Sequence, residues 1–352
     1  MREIQVNLAA IQHNYLELKK IAAPAKVMAV VKANAYGHGA QEVAEALQEV
    51  NVDALGVADL DEAIALRLAG IKAPLMCWIL AEDADFQMAK DLDIQLGVST
   101  QAALSKALET GNRIHIKVDT GLGRNGFVEA DWERVFTQLA GSSIGLFSHL
   151  ANTSVEEDRK QQSQFEKALA LATSLGATVH TAHLTATAGT LSYPDMQYDM
   201  VRCGIGIYGL NPWDDRAIGN YDFQPAMRVS AKITNVKRVP AGQGVSYGYR
   251  YVTDKETTLA LVPFGYAEGM PRIAQGAKVL IYGKTFEVSG RIAMDQFVVD
   301  VGDLDIKIGD DVVIFGDAAK GEPTAEDLGA SCGSINYEIV TRIGGRAKRV
   351  YL

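Results

Sequence analysis

The 352-residue sequence has few cysteines, few aromatic residues and no long apolar run. Its three cysteines, Cys77, Cys203 and Cys332, are odd in number and far apart, so we expect no disulfide framework and a reducing cytoplasm as the compartment. No apolar run approaches the roughly 18 residues that a membrane helix needs. The first 20 residues carry charged and amide side chains where a secretory signal would be apolar. We therefore expect neither a membrane span nor secretion.

Positive charge is also in deficit. The sequence has 34 Lys and Arg against 43 Asp and Glu, a formal net charge of −9, which disfavours binding to nucleic acid or to anionic lipid. Histidine is sparse, and the one close pair is His180 and His183. No further His or Cys follows that pair at zinc spacing, so we predict no metal site.

Up to about residue 210, short apolar runs alternate with amphipathic stretches. This alternation predicts strand and helix units around a parallel sheet. The candidate strands are 26–31, 54–58, 75–80, 94–98, 113–118, 144–149, 180–184 and 200–209. Helical patterns such as 40–50 and 61–70 lie between most of them. Eight such units predict a TIM-like (β/α)8 barrel, which we assign to residues 1–225.

The pattern changes after about residue 225 to short alternating apolar and polar runs punctuated by glycine. It predicts a mostly β domain over residues 226–352. Residues 278–288 are expected to form a hairpin that turns at Gly283 and Lys284. The first convincing helix of this part is expected at 325–332.

Ionisable residues fall at the carboxyl ends of the predicted barrel strands, where barrels place their chemistry. Lys32 ends the first strand. A partly desolvated lysine has a lowered pKa and attacks aldehydes, so Lys32 is a Schiff-base candidate, with a snorkelling lysine as the structural alternative. Five more such groups are Lys117, Arg124, His149, His183 and Arg202. Glycines at 204, 206 and 209 favour a phosphate site at the eighth strand.

The segment VKANAYGHG at 31–39 resembles the pyridoxal-phosphate lysine motif of alanine racemases. Other blocks resemble that family in the same order: 117–127, 148–150, 201–210, 245–251, 262–272, 290–296 and 335–346. The likeness runs nearly from end to end. It implies an isomerase that interconverts L-alanine and D-alanine and supplies D-alanine for peptidoglycan.

The resemblance also implies a cofactor, a dimer and a set of site residues. Pyridoxal 5′-phosphate would be bound covalently to Lys32, which serves as the base on the D-alanine side. Tyr247 of the partner subunit would serve the L-alanine side, so the homodimer would share its active sites. The implied cofactor-binding residues are Lys32, Tyr36, Arg124, His149, His183, Thr187, Arg202, Gly204, Ile205 and Tyr337. The implied substrate-binding residues are Arg124, Met294, Tyr266 and Asp295.

Arg202 matches the family's arginine at the pyridine nitrogen of the cofactor. Because arginine keeps its proton, the ring nitrogen would accept a hydrogen bond and stay uncharged, which limits transamination. His183 is expected to orient Arg202. By the same resemblance, Lys117 is a possible carbamylation site, since an anion there would steady Arg124.

The sequence departs from the family pattern at two points and leaves other functions open. Ala186 and Thr187 stand where the family has Asn and Ser, and Cys203 stands where it has proline. A racemase of broader specificity or one acting on serine is the nearest alternative, since small side chains differ little in binding energy. A decarboxylase of basic amino acids would place a carboxylate, not Arg202, at the ring nitrogen. A non-catalytic pyridoxal-phosphate carrier would lack the β domain.

Overall fold

The computed structural model of the chain describes residues 1–274 and 276–352. The strands, in chain order, are β1 Arg2–Val6, β2 Lys26–Val30, β3 Ala54–Asp59, β4 Leu75–Ile79, β5 Ile94–Val98, β6 Ile114–Lys117, β7 Ser143–Phe147, β8 Thr178–Ala186, β9 Met200–Cys203, β10 Met227–Lys232, β11 Asn235–Val239, β12 Gly244–Val245, β13 Tyr251–Val252, β14 Thr257–Val262, β15 Lys278–Ile281, β16 Lys284–Glu287, β17 Phe297–Gly302, β18 Asp311–Phe315 and β19 Lys348–Tyr351. The right-handed α-helices are Leu8–Ala22, Ala40–Glu49, Leu60–Leu68, Phe86–Asp91, Gln101–Thr110, Glu129–Gln138, Val155–Ser174, Thr187–Ser192, Ala325–Ala330 and Asn336–Arg342.

Strands β2 to β9 pair in parallel, each with the next, and β9 closes on β2. The predicted (β/α)8 barrel is therefore confirmed. The eighth barrel strand was predicted too long, at 200–209, because β9 ends at Cys203. Gly204 then leaves the extended conformation (φ −106°, ψ −88°), and Ile205–Tyr208 form a 3-10 helix that ends at Gly209 (φ 74°). Apolar residues continue through this turn, so hydrophobicity alone did not mark the end of the strand.

The remaining strands form the mostly β second domain that the periodicity predicted. One sheet has the order β16-β15-β18-β10-β1-β19, a second has β11-β14-β17, and β12 pairs with β13. The first strand differs from expectation, since we grouped residues 1–225 with the barrel. Arg2–Val6 instead pairs antiparallel with β10 and parallel with β19. A short strand carries no signal that tells which of two sheets it will join.

The predicted hairpin at 278–288 is present, with its turn one residue earlier than expected. Tyr282 (φ 48°) and Gly283 (φ 73°) form the two-residue loop between β15 and β16. Two successive positive φ angles are typical of the turn whose twist suits a tight hairpin. Among the described residues, no helix is long and apolar enough to cross a membrane.

Candidate active site

A cavity of about 640 Å³ opens at the carboxyl ends of the barrel strands. It is lined by ten of the residues singled out from the sequence: Lys32, Tyr36, Lys117, Arg124, His149, Thr187, Arg202, Gly204, Ile205 and Tyr337. These residues come from five barrel strands or the loops after them and, for Tyr337, from a helix of the second domain. The structure thus brings the predicted groups together in one place.

Lys32 is held by a strained turn directly after β2. The four residues after it, Ala33 to Tyr36, all have φ between 51° and 55°. Left-handed backbone disfavours residues with a Cβ by roughly 1–2 kcal/mol each, and such strain is typical of functional sites. Local hydrogen bonds hold the turn: Ala35 N–H donates to Val31 O (2.9 Å) and Ala40 N–H donates to the Asn34 side chain (2.9 Å). The turn therefore fixes the backbone position from which the Lys32 side chain extends.

Burial and a neighbouring cation favour the neutral amine of Lys32. Burial lowers the pKa of Lys32 below its ordinary value, and the Arg124 guanidinium lowers it further, while the Glu62 carboxylate acts in the opposite direction. Glu62 is itself fixed by two backbone donors, Ala33 N–H (2.6 Å) and Ala58 N–H (2.8 Å). A lysine with a depressed pKa is a nucleophile and a base.

Arg202 lies at the floor of the cavity with two of its three nitrogens committed to the protein. Its Nη1 donates to Nδ1 and to the carbonyl oxygen of His183, each at 3.0 Å. Its Nη2 donates to the carbonyl oxygens of Ser148 (2.6 Å) and Leu184 (3.0 Å) and contacts His149 Nδ1 (3.2 Å). Burial lowers the pKa of Arg202 to about 10, so it stays charged at neutral pH. No hydrogen bond among the described residues uses its Nε–H.

Lys117 and Arg124 bring two more cations to the same wall. Lys117 is buried at the end of β6, and its Nζ lies 5.8 Å from the centre of the Phe147 ring. Burial and the charges of Arg124 and Arg202 lower the pKa of Lys117 to about 8. Arg124 is exposed at the mouth, in a loop where Asp119 accepts from Gly121 N–H and Gly123 N–H. The wall therefore attracts anions.

Small and hydroxyl-bearing residues shape the opposite end of the cavity. The Thr187 hydroxyl accepts from Gly204 N–H (3.2 Å) and Gly206 N–H (3.4 Å). A Cβ on Gly204 would lie 2.3 Å from the Tyr36 hydroxyl oxygen, so glycine is required for space. The Tyr36 and Tyr337 rings lie 6.2 Å apart. Their hydroxyls stay protonated, because burial raises the pKa of each above its ordinary value.

Five predicted site residues lie outside this cavity. One of them, His183, is fully buried behind Arg202. Tyr247, Met294 and Tyr266 are 70%, 54% and 38% exposed, and Asp295 pairs with Arg346 (2.7 Å) on the surface of the second domain. Two of their loops are joined, because Tyr266 N–H donates to Ala293 O (3.1 Å). The structure therefore does not place Tyr247, Tyr266, Met294 or Asp295 next to Lys32 within one chain.

Comparison with known proteins identifies the family. The family models for the N-terminal and C-terminal domains of alanine racemase match residues 6–212 and 226–351. The chain is 43% identical to the alanine racemase of Beutenbergia cavernae, over 99% of this chain and 97% of that protein. Its structure superposes on the crystal structure of alanine racemase from the D-cycloserine producer Streptomyces lavendulae with a TM-score of 0.96 and 42% identity, covering 100% and 97% of the two chains. It also matches the alanine racemase of Streptomyces coelicolor A3(2) with a TM-score of 0.96, at 39% identity and covering 100% and 98%.

The chain belongs to the alanine racemase family. This is the family whose blocks the sequence resembles, and racemases are isomerases. The two departures from the family pattern can now be placed. Ala186, which directly precedes Thr187 in the sequence, lines the cavity. Cys203 is fully buried, and its thiol lies 3.8 Å from the Thr190 hydroxyl. Neither of these two side chains places an oxygen or nitrogen atom in the cavity.

The sequence did not point to several groups that matter to this racemase-family site. Ser148 supplies a carbonyl to Arg202, Phe147 stacks on His183 (4.9 Å, 2° between the rings), and Glu62 faces Lys32. His115 lies behind His183 in the barrel core. The available signal was His115 itself, a polar residue two positions before Lys117 and therefore on the same face of β6.

Proposed function

We propose that the protein is a pyridoxal-phosphate-dependent alanine racemase that acts as a homodimer with shared active sites. The observation that carries the proposal is the pairing, in one cavity, of the Lys32 amine with the Arg202 guanidinium. Lys32 has a depressed pKa, and Arg202 has an Nε–H with no acceptor among the described residues. A cytoplasmic location is part of the proposal, because all three cysteines carry free thiols.

The cavity fits the cofactor at both ends. Lys32 offers an amine to an aldehyde, and the cation-rich wall of Lys117 and Arg124 suits a phenolate oxygen. The cradle around Gly204, with the Tyr36, Thr187 and Tyr337 hydroxyls and backbone N–H groups including that of Ile205, suits a phosphate. Pyridoxal phosphate, when bound, supplies an electron sink that stabilises negative charge at the α-carbon of the amino acid.

The permanent positive charge of Arg202 determines how strong this electron sink would be. Its guanidinium stays protonated at neutral pH, so a ring nitrogen held against its Nε–H would accept a hydrogen bond and remain uncharged. Arg202 would thereby moderate the electron sink and favour proton return at the α-carbon. A basic amino-acid decarboxylase needs a carboxylate at this place, and no Asp or Glu contacts the Arg202 guanidinium among the described residues. The second domain, in turn, argues against a single-barrel carrier.

Racemisation needs a proton donor or acceptor on each face of the α-carbon. Lys32 serves the D-alanine face, where its lowered pKa leaves more of the amine neutral and able to accept a proton. Tyr247 of the partner subunit serves the L-alanine face, because the Tyr247 of the same chain is exposed and outside the cavity. Met294, Tyr266 and Asp295 would then line the substrate entrance across the dimer, with Arg124 facing the substrate carboxylate.

We further propose that Lys117 is carbamylated. A pKa of about 8 leaves part of the Lys117 amine neutral, so it can add to carbon dioxide, form an N–C bond and release one proton. The product is an anion beside Arg124. A crystal structure grown with bicarbonate tests this, and density for a bare amine would contradict it.

The experiment that tests the function is a time course with the purified protein, pyridoxal phosphate and L-alanine, followed by chiral chromatography. Mirror-image substrates have equal free energy, so a racemase brings the mixture to equal amounts of both enantiomers. We expect this endpoint from either enantiomer. The same assay with L-serine measures specificity, and D-alanine is the product that would supply peptidoglycan. No D-alanine despite the visible absorbance of a lysine-bound cofactor would contradict the proposal.

A further inference from the structure

Behind Arg202, two buried imidazoles and one amide form a continuous row through the barrel. Arg202 Nη1 lies 3.0 Å from His183 Nδ1, His183 Nε2 lies 2.8 Å from His115 Nδ1, and His115 Nε2 lies 2.9 Å from Gln95 Oε1. His183 is fully buried and His115 is 3% exposed. The row ends at a second cavity, of about 460 Å³, at the amino ends of the strands.

The donor at one end sets the direction of every hydrogen bond in the row. A guanidinium only donates, so Nδ1 of His183 accepts and its proton lies on Nε2. That Nε2–H donates to Nδ1 of His115, which places the His115 proton on Nε2, facing the Gln95 oxygen. Both imidazoles are thus neutral and share one tautomer. Burial agrees, since it lowers the pKa of His115 to about 3 and that of His183 well below its ordinary value.

The barrel makes room for His115 at the expense of neighbouring side chains. The residues paired with it on the two adjoining strands are Gly97 and Gly145. A Cβ on Gly145 would lie 2.0 Å from His115 Nδ1. Gly145 has no positive φ, so space rather than backbone conformation requires glycine there. Phe147 stacks against His183 and confines the second ring.

We propose that His115 and Gln95 are positioning residues that hold His183 in the tautomer that accepts from Arg202. In the other tautomer, His183 Nδ1–H would face Arg202 Nη1–H, and two donors would oppose each other. The row therefore holds Nη1 of the guanidinium in place, while Nε–H has no acceptor among the described residues. The inference rests on the proposed function, in which Arg202 faces the cofactor ring.

Two substitutions of His115 separate this role from packing. His115→Asn places Oδ1 close to where Nδ1 lies, so it keeps an acceptor for His183 Nε2–H. His115→Leu fills more of the space with apolar atoms but removes that acceptor. A packing role predicts that leucine is the milder change, whereas the proposed role predicts that asparagine is. The matched control is His180→Leu, because His180 lines the same second cavity and lies outside the row.

The readouts are cofactor affinity by absorbance titration and the ¹⁵N shifts of the histidine side chains. In the unsubstituted protein we expect His115 and His183 as Nε2–H tautomers. We expect His115→Leu to weaken cofactor binding roughly tenfold or more, because a buried donor loses its partner. His115→Asn and His180→Leu should stay within about twofold. If His115→Leu does not fold, Gln95→Met is used, and we expect it to weaken cofactor binding as well, because the buried His115 Nε2–H loses its acceptor.

Two results would overturn the proposal: His183 carrying its proton on Nδ1 in the unsubstituted protein, or His115→Leu binding the cofactor as well as His115→Asn does. Failure of the proposed function is a separate result, because it is an absence of racemisation by the unsubstituted protein. The tautomers can be measured in that protein whether or not it is active.

Discussion

The proposed site residues form two groups, one at the barrel mouth and one on the exposed face of the second domain. The two groups differ in how far they are buried and in how many neighbours bind them. At the mouth, Arg202 is 6% exposed and bound by four neighbouring residues, and Lys32 is fixed by a strained turn. On the second domain, Tyr247 is 70% exposed at the tip of a short loop, between Ser246 (φ 59°) and Gly248 (φ 71°).

The two regions differ in whether one chain alone surrounds the proposed site residues. The proposed cofactor-binding residues at the mouth are held by contacts within one chain. The Tyr247 loop is held by its own bonds, such as Ser246 Oγ–H to Arg291 O (2.6 Å), yet it faces outward. A rigid, exposed aromatic loop of this kind suits docking to a second copy of the chain.

The largest effect is expected from removing the amine at the mouth. Lys32→Ala should lower racemisation roughly 10⁴-fold or more, because one base and the covalent attachment are lost together. The visible absorbance of the lysine-bound cofactor should disappear. Chiral chromatography and absorbance spectra measure both changes. Full activity in this variant would remove Lys32 from the mechanism.

The next largest effect is expected on the exposed face. Tyr247→Phe should slow racemisation by roughly 10²–10⁴-fold and leave the cofactor spectrum unchanged. Exchange of the α-hydrogen of D-alanine with deuterated solvent should continue, since it needs only Lys32. Tyr249→Phe, equally exposed at 68%, is the control and should stay near the unsubstituted rate. Loss of exchange in Tyr247→Phe would contradict the division of roles.

A smaller effect is expected from filling the phosphate end of the cavity. Gly204→Ala should weaken cofactor binding roughly tenfold, because its Cβ would lie 2.3 Å from the Tyr36 hydroxyl oxygen. Gly344→Ala is the control, since its Cβ would meet only the Arg349 side chain, at 3.6 Å. Equal affinities in an absorbance titration would show that the cradle lies elsewhere.

The smallest effect concerns the stability of the barrel mouth. A lysine has a pKa near 10.4 when unfolded and Lys117 about 8 when folded, so the unfolded chain binds the proton more tightly. The charged Lys117 thus destabilises the fold below about pH 8, and this penalty is lost as pH rises past about 10.4. In cofactor-free protein without carbon dioxide, Lys117→Met should raise the free energy of unfolding by about 1–2 kcal/mol at pH 7. Urea melts should show this gain vanish near pH 10.

Much of the architecture could be predicted from periodicity, because the barrel strands are short apolar runs separated by amphipathic helices. The eighth strand was predicted too long, since the apolar residues after Cys203 enter a 3-10 helix whose start only the backbone angles of Gly204 reveal. The strand Arg2–Val6 joins the second domain through partners more than 200 residues away. Such a pairing leaves no local trace in the sequence.

The site residues at the mouth were predicted from motifs, and the cavity brings them together. The supporting groups were not found, because Ser148 acts through a backbone carbonyl and His115 through a contact across the barrel. A sequence motif identifies a candidate site residue, but it does not identify the neighbouring groups that hold that residue in place. The tautomer of His183 follows only from the three-dimensional order of donors and acceptors.

In the proposed racemase, each active site takes Lys32 from one subunit and Tyr247 from the other. Two mixed dimers, isolated through two different affinity tags, test it most directly. The dimer of one Lys32→Ala chain with one Tyr247→Phe chain should keep one intact site of two, and so about half of the unsubstituted activity. A dimer of one unsubstituted chain with one chain carrying both changes should have no intact site and almost no activity. The reverse pattern, with the first dimer inactive and the second half-active, would show that each site is built from a single chain.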